Sequence, residues 1–212
     1  MVLPNASQSV PVGLAAAWPL IHVVRPLLLF IVQILLAASA FADEAAAWAA
    51  LREGGHVALM RHTDAPGPPG DPPGFRVDDC KTQHNLSEQG KADAKAVGER
   101  LKAQRVPIGK VLSSPWCRCV DTARLMRVGA VQTEPAFSNV VVLNDRVAEL
   151  TERGRAVIDA WKGPGTLLVV THGANIAVLT GGTNPASGEI VVVRPKGDGT
   201  LREFGRLPMS KP

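Results

Sequence analysis

The sequence of 212 residues lacks the signatures of several common protein classes. Lys and Arg are spread along the chain without a run of five or more, which argues against a nucleic-acid-binding protein despite a pI near 9.2 and a net charge of +4. No HExxH motif and no carboxylate cluster near a histidine occurs. Only three cysteines are present, and the Cys117-x-Cys119 pair lacks the further Cys and His ligands of a zinc site. We therefore expect no metal, no other cofactor and no nucleic acid.

Residues 1–42 are predicted to be a signal peptide. Arg25 supplies a positive charge, residues 27–38 form an apolar core, and residues 40–42 (Ala-Phe-Ala) fit a cleavage site. The alternative is an uncleaved membrane anchor, since most of the segment is apolar. The sequence thus predicts one exported domain, residues 43–212, periplasmic or secreted, with membrane contact only if the segment stays uncleaved.

Three apolar stretches that resemble β-strands each lead to an arginine or a histidine. Continuous apolar runs of this kind are typical of buried strands in parallel sheets. Open α/β sheets place their ligand chemistry just beyond the carboxyl ends of such strands. We therefore expect the four polar residues that follow these runs to meet in one site: Arg61, His62, Arg118 and His172.

The alternation of strands and helices predicts an α/β fold, a three-layer sandwich with a mostly parallel central sheet flanked by helices. Ser87 is a suitable N-cap for a helix that runs to about Gln104. Residues 140–143 fit either a strand or a loop packed on the sheet. The other predicted elements are a helix at 43–53, a helix containing Arg118, a helix at 145–161, and paired strands at 189–194 and 201–206.

Residues 63–83 form a proline- and glycine-rich loop, which excludes a helix or a central strand. A loop of this length in a compact domain is usually functional, and we expect it to form one wall of the site and to govern specificity. His84 closes the loop and either lines the pocket mouth or faces solvent. Cys80 could form a disulfide with Cys117 or with Cys119, or all three thiols could be reduced.

The residue types at the predicted site suit phosphate chemistry. Arginine binds phosphate oxygens in pairs and keeps its charge. A neutral imidazole next to arginines has a free ring nitrogen for attack on phosphorus. A second histidine can donate a hydrogen bond to the transferring group, and no metal is required.

Four motifs together resemble the histidine phosphatase superfamily, also called phosphoglycerate mutase-like, and in particular its exported bacterial branch. They are Leu59-Met60-Arg61-His62, Asn85-Leu86-Ser87-Glu88-Gln89-Gly90, Ser113-Ser114-Pro115-Trp116-Cys117-Arg118 with Asp121-Thr122-Ala123, and Thr171-His172-Gly173. The resemblance implies that His62 is the nucleophile that becomes phosphohistidine. It also implies that Arg61, Arg118 and His172 complete the phosphate pocket.

The sequence departs from the family pattern in two places. Thr63 stands where the family usually has glycine, and we take it, with His84, as an additional substrate-binding residue. No general acid is evident, and the candidates are Asp64, Glu149 and Glu189. Glu189 is preferred, because a Gly-Glu pair after the second histidine resembles exported members.

The sequence therefore predicts a metal-independent phosphatase that acts on a phosphorylated small molecule or envelope component. The alternative is a catalytically weak or inactive protein of the envelope that binds a phosphate ligand. A purely structural envelope protein would leave the Arg-His-Arg-His set unexplained. The sequence leaves the natural substrate and the oligomeric state open.

Overall fold

The computed structural model describes residues 43–209. The predictions made for residues 1–42 therefore lie outside the described residues. Within the described part of the chain, no helix is long and apolar enough to cross a membrane.

A single six-stranded mixed sheet forms the centre of the domain, with strand order β3-β2-β4-β1-β5-β6. Strands β1 to β4 run parallel, β5 is antiparallel to β1, and β6 is antiparallel to β5. The predicted α/β fold is confirmed, with the 190–207 hairpin as the antiparallel part. The strands are β1 (Val57–Arg61), β2 (Ile108–Ser113), β3 (Val131–Thr133), β4 (Thr166–Thr171), β5 (Ile190–Pro195) and β6 (Leu201–Leu207).

Helices cover both faces of the sheet, because its central strands are apolar on both sides. In β1, Ala58 and Met60 belong to one apolar cluster, whereas Val57 and Leu59 belong to another. The first cluster contains residues from α1, α2 and α3, and the second contains residues from α4 and α5. The helices are α1 (43–53), α2 (Glu88–Ala103), α3 (Cys117–Met126), α4 (Val147–Asp159) and α5 (Gly173–Thr180).

The start of α2 lies close to the end of β1 because of a side-chain cap. The Ser87 hydroxyl accepts a hydrogen bond from Gly90 N at 2.9 Å, as the sequence predicted for an N-cap. The same residue donates from its backbone N to Asp64 O and from its hydroxyl to the Asp64 carboxylate. The cap therefore ties the beginning of the proline-rich loop to the helix that ends it.

Residues 140–143 form a turn rather than a strand, the second of the two predicted alternatives. Asn139 organises the turn: its carbonyl accepts from Leu143 N and its side chain accepts from Val141 N. Val140 is buried and Val141 is exposed. The turn brings Asn139 and Val141 to the carboxyl edge of the sheet.

Candidate active site

Two neighbouring parallel strands bring the two predicted histidines together. In the register of β1 and β4, Arg61 lies opposite Thr171, so His62 and His172 are the first residues after each strand. His62 N donates to Thr171 O at 2.9 Å, which continues the ladder by one bond. The imidazole centroids lie 5.4 Å apart, with the rings roughly perpendicular.

The tautomer of His62 follows from its own backbone. Nδ1 lies 2.8 Å from Thr63 O, and a carbonyl can only accept, so Nδ1 carries the proton. The side chain is buried, and burial together with the charges of Arg118 and Arg61 lowers the pKa of His62 to about 4, although the Thr63 hydrogen bond acts in the opposite direction. At neutral pH the ring is therefore uncharged, with its lone pair on Nε2.

His172 is buried in a different environment. Its Nε2 lies 3.0 Å from the Ser114 hydroxyl and 3.6 Å from Cys119 Sγ, and the Trp116 ring packs edge-on against it. Burial and the nearby His62 lower its pKa well below the ordinary range, so this ring is neutral as well. Burial also raises the pKa of the Cys119 thiol to about 12, which leaves it protonated and unreactive.

Arg61 reaches the site from the last position of β1 with part of its guanidinium unpaired. Its Nη1 donates to Pro185 O at 2.9 Å. Its Nε is buried and has no hydrogen-bond partner among the described residues. A buried cationic donor without an acceptor is costly, so this N–H indicates a place for an anionic ligand.

Arg118 lies in the first turn of α3 and is 4% exposed. Its Nη1 and Nη2 bind the two carboxylate oxygens of Asp71 at 2.8 and 3.2 Å. Its Nη1 also donates to His84 O at 3.2 Å. The second arginine is therefore paired, unlike the first.

The proline-rich loop packs against α3 through three kinds of contact. A disulfide joins Cys80 to Cys117, the first of the two predicted pairings, and Cys119 is the free thiol. The Gln83 side chain accepts from Cys117 N, which caps a helix start that has no cap of its own. Trp116 Nε1 donates to Asp71 at 2.8 Å. The loop is thus part of the site, as predicted.

These groups surround one cavity of about 240 Å³ at the carboxyl edge of the parallel strands. Two arginines and three histidines line it: Arg61, Arg118, His62, His84 and His172. The proline-rich loop supplies one wall, with Ala65, Gly67, Pro68, Pro69 and Gly70, and Asn139, Val141 and Asn184 are among the other lining residues. No acidic residue of the described chain lines the cavity.

His84 lines the cavity rather than facing bulk solvent, so the first of its two predicted positions is the one observed. Its Nδ1 lies 3.3 Å from Gly70 O. A Cβ at Gly67, whose φ is +139°, would come within 2.7 Å of the imidazole, so only glycine permits this stacking. The loop backbone therefore holds the His84 ring in place.

Thr63 does not line the cavity, contrary to its assignment as a substrate-binding residue. It is fully buried, and its hydroxyl and backbone N both lie within hydrogen-bonding distance of Thr122 Oγ1, at 3.1 and 3.3 Å. A hydroxyl buried against α3 serves packing.

Glu189, the preferred general acid, does not line the cavity either. One carboxylate oxygen accepts from Ala186 N at 2.7 Å, and the other lies 3.4 Å from Arg206 Nη1. The side chain closes a turn before β5 and pairs with β6, although its backbone is adjacent to β1. The geometry does not support its assignment as the acid.

The other two acid candidates are also engaged elsewhere. Asp64 accepts from the Ser87 hydroxyl at 2.5 Å at the start of α2. Glu149 is exposed on α4, where hydrogen bonds from Arg146 and Arg153 lower its pKa to about 2. A carboxylate with such a pKa is a poor proton donor.

Sequence reasoning missed Asp71, Asn139 and Asn184. Asp71 had a recognisable signal, since it is an acidic residue in the middle of a loop otherwise rich in proline and glycine. The two asparagines had none, because each lies in an irregular segment whose position depends on the tertiary fold.

Comparison with known proteins agrees with this geometry. Residues 57–140 match the sequence model of the Histidine phosphatase superfamily (branch 1). The match covers 84 of the 212 residues, and over that range the chain is similar to this superfamily. The matched range includes Arg61, His62 and Arg118, and His172 lies beyond it.

Solved structures with this fold include several phosphatases. The protein histidine phosphatase SixA complexed with tungstate is 21% identical, with a TM-score of 0.50, over 72% of this chain and 96% of that one. The mycobacterial glucosyl-3-phosphoglycerate phosphatase complexed with VO3 is 17% identical, with a TM-score of 0.51, over 73% and 99%. No curated protein matches the sequence. At these identities the likeness establishes the fold.

Proposed function

We propose that this domain is a metal-independent phosphatase that hydrolyses phosphate monoesters through a phosphohistidine on His62. The protonation state of that ring carries the proposal. Its Nδ1 donates to Thr63 O, its pKa is about 4, and its Nε2 keeps a lone pair beside two arginines. A neutral imidazole held in one orientation is the form that attacks phosphorus.

In the first step, the Nε2 lone pair of His62 forms a bond to phosphorus while the bond from phosphorus to the leaving oxygen breaks. Arg61 and Arg118 hold the non-bridging oxygens, and His172 donates a hydrogen bond to the same group. In the second step, water attacks phosphorus and the N–P bond breaks. His62 returns to its neutral form and inorganic phosphate leaves.

The proton for the leaving oxygen comes from water, because no acidic side chain of the described residues lines the cavity. Such a site favours leaving groups that depart as weak bases. We therefore expect aryl phosphates to be hydrolysed faster than alkyl phosphates, by roughly the 10²–10⁴-fold that general acid catalysis typically contributes.

A phosphorylated small molecule or envelope component is the substrate class we propose. The fold does not choose between them, since it is shared by a protein histidine phosphatase and by a phosphatase of a glucosylated phosphoglycerate. The cavity wall formed by the proline-rich loop is the element expected to select the substrate.

We also propose that the protein is exported. The Cys80–Cys117 disulfide supports this, because such bonds persist mainly in oxidising compartments. N-terminal sequencing of protein recovered from the periplasm or medium should begin at Asp43. An intact residue 1 on a membrane-bound protein would instead support the anchor.

The second candidate function is a phosphate-binding protein with little or no turnover. The absence of an acid among the lining residues favours it. In that case Arg61 and Arg118 would bind the ligand, and His62 would remain unphosphorylated.

The test is hydrolysis of an aryl phosphate by the full chain in excess EDTA, with His62→Ala beside it. His56→Gln is the matched control, since His56 is also buried but packs on Phe204 away from the cavity. Turnover that survives chelation, is lost only in His62→Ala and yields an acid-labile phosphoenzyme would support the phosphatase. Activity unchanged by His62→Ala would overturn it, and phosphate binding without turnover would support the binding protein.

A further inference from the structure

We infer that Asp71 is a positioning residue, which fixes the Arg118 guanidinium so that one edge of it is presented to phosphate. The inference rests on the proposed function in one respect, namely that phosphate is the ligand of this cavity. It gives the proline-rich loop a role in the site, although none of the four family motifs includes Asp71.

Asp71 engages one end of the guanidinium completely. Its two oxygens accept one hydrogen from Nη1 and one from Nη2 of Arg118. The second Nη1 hydrogen is directed to His84 O at 3.2 Å. Three of the five N–H donors of Arg118 are therefore used within the protein.

The two remaining donors lie on the same edge of the guanidinium. They are the Nε hydrogen and the second Nη2 hydrogen, and no residue of the described chain accepts from either. These two N–H bonds are nearly parallel and form the fork that binds two oxygens of a phosphate. Because Arg118 lines the cavity, this edge is the one available to a ligand.

Asp71 does not occupy the place of the ligand. Its side chain is 0% exposed and it is not among the residues that line the cavity. Trp116 Nε1 and His84 N also donate to its carboxylate, at 2.8 and 3.1 Å. Burial opposes its ionisation, but the hydrogen bonds and charge of Arg118 outweigh burial and hold the pKa of Asp71 below its ordinary value.

The position of Asp71 depends on the loop. The residue is 47 positions from Arg118 in sequence, and the Cys80–Cys117 disulfide fastens the far end of the loop next to Arg118. A carboxylate with four donors has a single orientation, and it transmits that orientation to the arginine.

Positioning and simple electrostatics predict opposite results for Asp71→Asn. Removal of a negative charge beside two arginines should by itself tighten binding of an anion. Loss of the bidentate contact should instead let Arg118 turn away. We expect the Kd for inorganic phosphate to rise about tenfold, the effect of one hydrogen bond to a charged group.

Asp71→Glu separates geometry from charge, since it keeps the carboxylate and moves it by one methylene. We expect this variant to weaken phosphate binding as well. If Asp71→Asn fails to fold, Asp71→Glu provides the test of phosphate binding in its place. Asp79→Asn is the matched control, because Asp79 lies on the same loop but pairs with the exposed Arg76.

A double-mutant cycle with Arg118→Lys measures the coupling between Asp71 and Arg118 in phosphate binding. A general loss of stability would not produce such a coupling. Lysine cannot form the fork, so Arg118→Lys should weaken phosphate binding about tenfold in the wild type. In the Asp71→Asn background it should have little further effect, since the fork is already lost.

Phosphate titration by calorimetry decides the inference independently of turnover. Tighter or unchanged phosphate binding in Asp71→Asn and Asp71→Glu, or full additivity with Arg118→Lys, would overturn the positioning role. Weaker binding in both with normal binding in Asp79→Asn would support it. Phosphate binding without hydrolysis by the wild type would contradict the proposed function alone, and a wild type that binds no phosphate would contradict both.

Discussion

The two halves of the cavity are held in place by different forces. The strand-end half consists of Arg61, His62 and His172, which follow directly from neighbouring parallel strands. The loop half consists of Arg118 and His84, and the buried Asp71 of the proline-rich loop holds Arg118 from outside the cavity lining. Backbone ladder bonds fix the first half, whereas a buried ion pair and a disulfide fix the second.

This difference separates chemistry from binding geometry. The strand-end half contains the ring that we propose as the nucleophile, in a register that cannot slip without turning every side chain to the other face. The loop half sets the orientation of Arg118, which stays charged at any pH used in an assay. Changes to the strand ends should therefore affect the chemical step most, and changes to the loop should affect affinity and stability.

The largest expected effect is that of His62→Ala compared with His172→Gln. Loss of the nucleophile should reduce kcat by at least ~10⁴-fold. Loss of a hydrogen-bond donor to the transferring group should reduce it by ~10²–10³-fold. Steady-state hydrolysis of an aryl phosphate measures both, and phosphoenzyme should form only in His172→Gln. Equal losses in the two variants would contradict the different roles assigned to them.

Removal of the disulfide by Cys80→Ser with Cys117→Ser should act on stability. The cross-link spans 37 residues, and its loss should lower the free energy of unfolding by about 4 kcal/mol through the entropy of the unfolded chain. Urea denaturation measures this change. The control is Cys119→Ala, which removes a buried thiol from the same helix without breaking a cross-link. A double variant as stable as the wild type would show that the ion pair alone holds the loop.

The pH dependence of stability should report on His62. Its pKa falls from 6.5 to about 4 on folding, so the unfolded state binds more protons between these values. Above pH 6.5 the titration of His62 leaves the free energy of unfolding at its full value. As the pH falls towards 4, this free energy decreases by a total of about 3 kcal/mol. His172 acts in the same direction.

Urea denaturation of His62→Gln at pH 7 and at pH 4 tests this. The variant should lose less stability on acidification than the wild type and than the His56→Gln control. An acid-induced loss identical in all three proteins would mean that His62 is not buried in its neutral form.

The smallest expected effect is that of Glu189→Gln. The carboxylate is held by Ala186 N and Arg206 outside the cavity lining, so kcat should change less than about threefold, well below the typical contribution of a general acid. Rates for an alkyl and an aryl phosphate measure this. A selective loss of alkyl phosphate hydrolysis would restore Glu189 as the acid.

Local sequence was sufficient to predict most of the fold and the strand-end half. Apolar runs such as residues 166–171 predict buried strands wherever they occur, and the residue after such a strand lies at the carboxyl edge of the sheet. Ser87 likewise specifies its helix start through contacts within three residues. These predictions depend on backbone geometry that repeats along the chain.

The tertiary structure alone decided the contacts within the loop half. The choice of Cys117 over Cys119 as partner of Cys80, the pairing of Asp71 with Arg118, and the engagement of Glu189 outside the cavity all depend on how an irregular loop or a side chain folds back. The sequence therefore predicted that two arginines and two histidines gather at one sheet edge, because each follows an apolar run that is typical of a buried strand in an α/β sheet. The fold decided which carboxylate meets them, because ion pairs between distant residues have no periodic signature.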